Sequence, residues 1–127
     1  MEEVEQPVVF VARHCHYRPT DGRLSDEGRL QAAAIAARLG NVRIGLILHS
    51  PAVRCAETAR IAWEGLGREP RAESAMWLRE DAWLDHDWLD RLKCGGGVLL
   101  VTHAPVIRQL TPATEAARFG EVTRIGR

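Results

Sequence analysis

Val8-Val9-Phe10-Val11-Ala12 is an unbroken apolar run, and Arg13-His14 follows it directly. Two further runs, Val42 to Leu48 and Val98 to Thr102, read the same way. None alternates apolar with polar, so each is expected to be a strand covered on both faces, as in a parallel sheet flanked by helices. Between them the spacing predicts helices. Ser25-Asp26-Glu27 opens one with a capping serine and early acids, and Gly40 ends it. Ser50-Pro51 opens a second, with serine as cap and proline at the first helical position. Leu84, Trp88, Leu89 and Leu92 are spaced for one face of a third, and a short fourth follows His103. Glu121 to Ile125 supplies a last strand. Strands alternating with helices predict an α/β fold, a three-layer sandwich with a central, mostly parallel sheet. The length of 127 residues fits one domain over 1–127.

Composition narrows the function. Lys+Arg and Asp+Glu are both 17, so no net field draws the chain to nucleic acid or anionic lipid. Lys93 is the sole lysine; arginine is therefore the side chain available for binding anions. Three unpaired-looking cysteines, Cys15, Cys55 and Cys94, suit a reducing compartment. The acidic start Met1-Glu2-Glu3 is unlike a signal peptide, and no apolar run is long enough to span a membrane. A cytoplasmic protein is the expectation, with its oligomeric state left open.

The placement of histidines points to a site. Ligands of open parallel sheets bind just beyond the carboxyl ends of the strands. Arg13-His14 follows the first apolar run and His103 follows the third, so the sheet aims all three at one crevice. Arg54, in the first turn of the second helix, joins them at a helix end that favours anions. Two arginines and two histidines there make a phosphate clamp.

Other chemistries fit less well. There is no G-x-x-x-x-G-K-[ST] loop. Asp85-His86-Asp87 lies inside a helical stripe rather than after a strand. Six residues beyond Cys15, Cys55 and Cys94 stand Asp21, Ile61 and Leu100, not the arginine of a cysteine phosphatase. Ser25, Ser50 and Ser74 lack a G-x-S-x-G elbow. His14, Cys15, His16, His49, His86 and His103 include possible metal ligands, but no pair has zinc-ribbon or H-E-x-x-H spacing. No metal and no cofactor is expected.

Four segments resemble the histidine phosphatase superfamily, the phosphoglycerate-mutase-like group, in its compact phosphohistidine-phosphatase-like branch. Val9-Phe10-Val11-Ala12-Arg13-His14 resembles the strand entering the Arg-His-Gly signature, with Cys15 in place of its glycine. Leu24-Ser25-Asp26-Glu27-Gly28-Arg29-Leu30-Gln31-Ala32 resembles L-[ST]-x-x-G-x-x-Q-A. Ser50-Pro51-Ala52-Val53-Arg54-Cys55-Ala56-Glu57-Thr58-Ala59 resembles S-P-x-x-R-A-x-x-T-A, with Cys55 replacing a small residue and His49 just before it. Val101-Thr102-His103-Ala104-Pro105 resembles the segment of the second catalytic histidine.

The resemblance implies that His14 is the nucleophile, that Arg13, Arg54 and His103 surround the phosphoryl group, and that Glu80, in Leu78-Arg79-Glu80, is the acid and base. It implies a metal-independent phosphatase acting on a phosphorylated small molecule or a phosphoprotein, either a phosphomonoester or phosphohistidine. A non-catalytic phosphate-binding or regulatory member is the alternative. Such a mechanism calls for a neutral His14 whose second ring nitrogen is fixed, and for a protonated His103.

Overall fold

The computed structural model describes residues 7–85, 87, 88, 92, 94–111 and 117–125. Five strands, β1 (Val9–Arg13), β2 (Ile44–His49), β3 (Arg71–Ser74), β4 (Gly97–Thr102) and β5 (Val122–Ile125), form one sheet in the order β3-β2-β4-β1-β5. All neighbours are parallel except β1 and β5, which run antiparallel. Among the described residues the α-helices are α1 (Asp26–Arg38), α2 (Val53–Gly65) and α3 (Ala104–Leu110), with a 3-10 turn at Met76–Leu78.

The unbroken apolar runs follow from burial on both sides. Along β1, Phe10 and Ala12 join a core with Ala32, Ile35, Cys55, Ala59 and Ala62 of α1 and α2. Val9 and Val11 join a second core with Leu78, Leu92, Val106 and Ile107. In β4, Leu99 and Val101 face the first core while Val98 and Leu100 face the second. Each fully buried Leu or Val contributes roughly 1.5–3 kcal/mol, so the central strands are fixed by two layers at once. The expected three-layer α/β architecture is present.

Three local expectations need correction. The second helix starts at Val53, with Ala52 as its cap, not at Ser50-Pro51. The Ser50 hydroxyl accepts from Ala52 N at 3.3 Å, ahead of the helix, and also meets a histidine described below. Strand β3 was not anticipated: Arg71-Ala72-Glu73-Ser74 is an exposed edge strand with no apolar signal. The helix expected from Leu84 to Leu92 is not seen at Leu84 and Asp85, which lie outside any helix. His86, Leu89, Asp90, Arg91 and Lys93 lie outside the described residues. Leu84, Trp88 and Leu92 still pack against the second core.

Candidate active site

The parallel register brings three strand ends together. Arg13 lies opposite Thr102, and His49 opposite Val101. Beyond them, the backbone N–H of His14 donates to Thr102 O at 3.0 Å, and that of Ser50 donates to Val101 O at 3.0 Å. His14, Ser50 and His103 therefore leave the sheet side by side, and the His14 and His103 ring centroids are 5.2 Å apart.

The start of α1 holds the loop after β1. Ser25 Oγ accepts from Gly28 N at 3.0 Å, and Ser25 N donates to His16 O at 3.1 Å. Gln31 Oε1 accepts from His16 N at 2.9 Å. A Cβ on Gly28 would lie 1.9 Å from His16 O, so only glycine permits this approach. From α2, Glu57 Oε1 accepts from Leu24 N at 2.7 Å and Thr58 Oγ1 accepts from Cys15 N at 3.1 Å. The motif residues around positions 24–31 and 57–58 are thus a brace for the loop carrying His14.

That brace fixes the chemistry of His14. Its Nδ1 lies 3.2 Å from Cys15 O, to which it donates when protonated. The other nitrogen, Nε2, then carries a lone pair, and Arg54 Nε–H points at it from 3.4 Å. Burial, together with nearby His103, Arg54 and Arg13, lowers its pKa to about 4, against a weaker opposing pull from the Cys15 carbonyl. His14 is neutral at pH 7.

His103 is 1 % exposed. Its Nε2 lies 2.8 Å from Ser50 Oγ and 3.5 Å from Cys55 Sγ. Arg54 Nη2 lies 3.4 Å from Nδ1. An arginine has only donors, so Nδ1 accepts and Nε2–H donates to Ser50. Burial, then Arg54 and Arg13, lower the His103 pKa to about 4. Burial and two guanidiniums hold the ring neutral in this arrangement, whereas the protonated His103 expected from sequence belongs to the phosphoryl-transfer step.

Arg54 spans the site. Besides both histidines, its Nη2 lies 3.5 Å from Glu80 Oε1, and its guanidinium lies 4.8 Å from the centroid of Tyr17. Glu80 is the exposed member, reached through Arg54. Its loop is anchored by Leu78, whose carbonyl accepts from Thr102 Oγ1 at 2.6 Å. Arg13 donates from Nη1 to Ala117 O at 2.9 Å and stacks on Phe119, 4.1 Å from its centroid. Its buried Nε has no partner among the described residues.

All five residues singled out from sequence, Arg13, His14, Arg54, Glu80 and His103, converge here. Sequence reasoning missed Tyr17, Ser50, Cys55 and Phe119 as neighbours of the two rings. Cys15 does not disturb the site. Its backbone is not among the positive-φ residues, its side chain lies in the core shared by α1 and α2, and burial pushes its thiol up to about 11. Among the described residues no group of three His, Cys, Asp or Glu side chains could hold a metal ion. No described helix is long and apolar enough to cross a membrane.

The described residues thus form a doubly covered α/β sheet with two histidines and two arginines gathered at its carboxyl edge. The sequence pattern of the histidine phosphatase superfamily (branch 1) matches residues 10–84, and the chain belongs to that superfamily. No curated protein shows a significant match. Solved structures do. The putative phosphohistidine phosphatase SixA from Agrobacterium tumefaciens superposes with a TM-score of 0.69 at 19% identity, covering 95% of this chain and 92% of that one. A mycobacterial glucosyl-3-phosphoglycerate phosphatase complexed with VO3 gives 0.65 at 20% identity over 93% and 90%. Bacillus stearothermophilus YhfR gives 0.68 at 18% identity over 93% and 90%. These likenesses establish the shared fold.

Proposed function

We propose that this protein is a metal-independent phosphatase that hydrolyses a phosphomonoester or phosphohistidine through a phosphorylated His14. The observation that carries the reading is the state of His14. It is neutral, with Nδ1 tied to Cys15 O and Nε2 turned to Arg54. A nucleophilic imidazole needs a neutral ring with one nitrogen fixed by a hydrogen bond, so that the other can present its lone pair to phosphorus when phosphate takes over Arg54.

In the reaction, His14 Nε2 attacks phosphorus and the bond to the leaving oxygen or nitrogen breaks. Arg13 and Arg54 take up charge on the phosphoryl oxygens, work that a metal ion does in other phosphoryl-transfer enzymes. A phosphate dianion beside His103 offsets the repulsion from those arginines, which favours proton uptake at Nδ1 and adds a third cationic donor. Glu80 protonates the departing group; its conjugate base then takes a proton from water, which displaces His14 and releases phosphate. The names of the two phosphatases among the fold relatives, one for phosphohistidine and one for a sugar-acid phosphate, support a phosphorylated protein or small molecule as substrate.

The test is the intermediate. Rapid quench with a ³²P-labelled substrate should trap an acid-labile, base-stable phosphoenzyme that is absent in His14→Ala. Undiminished turnover in that variant overturns the assignment. Phosphate binding without turnover in the native protein would instead mark a non-catalytic member of the superfamily.

A further inference from the structure

Arg13 is held in an unusual way. Ion pairs link other arginines to acids, including Arg54 to Glu80, but none links Arg13 to an acid among the described residues. One carbonyl, Ala117 O, receives Nη1, and the guanidinium lies against the face of Phe119 at 4.1 Å. A ring face attracts a cation without neutralising it. A contact through Cζ over the ring engages no carboxylate, so it uses up none of the guanidinium's N–H donors in an ion pair. An acid in the same place would consume those donors and cancel the charge that a phosphate is to meet.

Phe119 is placed by backbone, not by chance contact. Gly120 N donates to Arg13 O at 3.1 Å and Arg13 N donates to Glu121 O at 3.2 Å, fastening the turn to the end of β1. Arg38 Nη1 also donates to Gly120 O at 3.2 Å. Gly120 has φ +73, and a Cβ there would press on Gln31 and Cys15 at 3.2 and 3.3 Å. The same ring packs against His14, with centroids 5.7 Å apart.

We propose that Phe119 is a positioning residue for phosphate binding, which holds Arg13 by a cation–π contact so that the terminal donors not taken by Ala117 O stay out of any ion pair and keep their full charge beside His14. This inference rests on the phosphate site proposed above.

It is tested by titrating the purified protein with inorganic phosphate, which needs no turnover. Phe119→Leu keeps an apolar side chain and removes the ring face; its phosphate Kd should rise about fivefold, while Phe119→Tyr stays near wild type. In an Arg13→Met background, Phe119→Leu should change Kd by less than about twofold, because the partner through which it acts is gone. If Phe119→Leu fails to fold, Phe119→Met replaces it in the same cycle. An equal loss in both backgrounds, or an equal loss in Phe119→Tyr, overturns the positioning role and leaves the phosphatase reading intact. Failure of the native protein to bind phosphate overturns both.

Discussion

The Nε–H of Arg54 sits 3.4 Å from the lone pair of His14 Nε2, and Nη2 of the same guanidinium sits 3.4 Å from Nδ1 of His103. One planar fork therefore keeps both rings in the tautomers their other partners select. Lysine could supply the charge but not the fork. Arg54→Lys should lower kcat/KM by roughly 10²–10³-fold, comparable to losing a preorganised charge-stabilising donor. Steady-state kinetics on a phosphomonoester checks this, and a loss below tenfold would place Arg54 outside the reacting centre.

Glu80 tests leaving-group chemistry. An alkoxide needs a proton to depart, whereas a nitrophenolate hardly does. Glu80→Gln should slow phosphorylation of His14 by an alkyl phosphate roughly 10²–10⁴-fold. With p-nitrophenyl phosphate the burst measured by rapid mixing should fall far less. Equal losses for both substrates would deny Glu80 the role of acid.

Two buried histidines with depressed pKa values make the protein sensitive to acid. Unfolded histidine titrates near 6.5, while His14 and His103 titrate at about 4 in the fold. Between those values the unfolded chain binds more protons, so stability is complete above pH 6.5 and falls as pH drops toward 4. Each ring withdraws about 3 kcal/mol over that window. The losses are not additive, since the rings share neighbours. Sulfate remains a dianion throughout and favours protonated His103, so its Kd should fall as pH drops from 7 to 5. Urea melts and sulfate titrations across pH 5–8 measure both trends; flat profiles would contradict the neutral-ring geometry.

Gly28 is a packing prediction. A methyl group there collides with His16 O at 1.9 Å, so α1 must back away from the loop it braces. Gly28→Ala should cost about 3 kcal/mol and lower Tm by roughly 10 °C for a chain of this size. Phosphate affinity should weaken with it. A variant as stable as the native protein would show that the brace is slack.

Cys15 makes the opposite case. Restoring glycine there removes a buried side chain from the α1–α2 core. Cys15→Gly should lose about 2 kcal/mol of stability while kcat/KM stays within the same order of magnitude. A large gain in turnover would mean that the thiol obstructs the site after all.

The parts that were legible in sequence share a physical cause. β1, β2 and β4 are buried on both faces and so read as apolar runs, and the crevice beyond their ends located Arg13, His14 and His103. Edge strand β3 left no such trace, because Arg71 and Glu73 face solvent. Ser50 looked like a helix cap; in the fold its hydroxyl meets His103 at 2.8 Å, a contact made only when β2 and β4 pair. Phe119 was invisible for a related reason. It reaches Arg13 through the antiparallel pairing of β5 with β1, and no local pattern encodes that pairing.

The position of β1 in the sheet has a kinetic side. β1 pairs Val9 with Val98 and Ala12 with Val122, segments far along the chain from Arg13 and His14. Pairings between such distant segments are slow to form, because loop-closure entropy is lost before any contact offsets it. A ribosome-bound chain that ends before β4 holds His14 beyond a strand that lacks both partners, and one that ends before β5 lacks the turn bearing Phe119. The site proposed for phosphate is therefore complete only once β4 and β5 have paired with β1, and phosphate-dependent protection of β1 from hydrogen exchange would report the completed sheet.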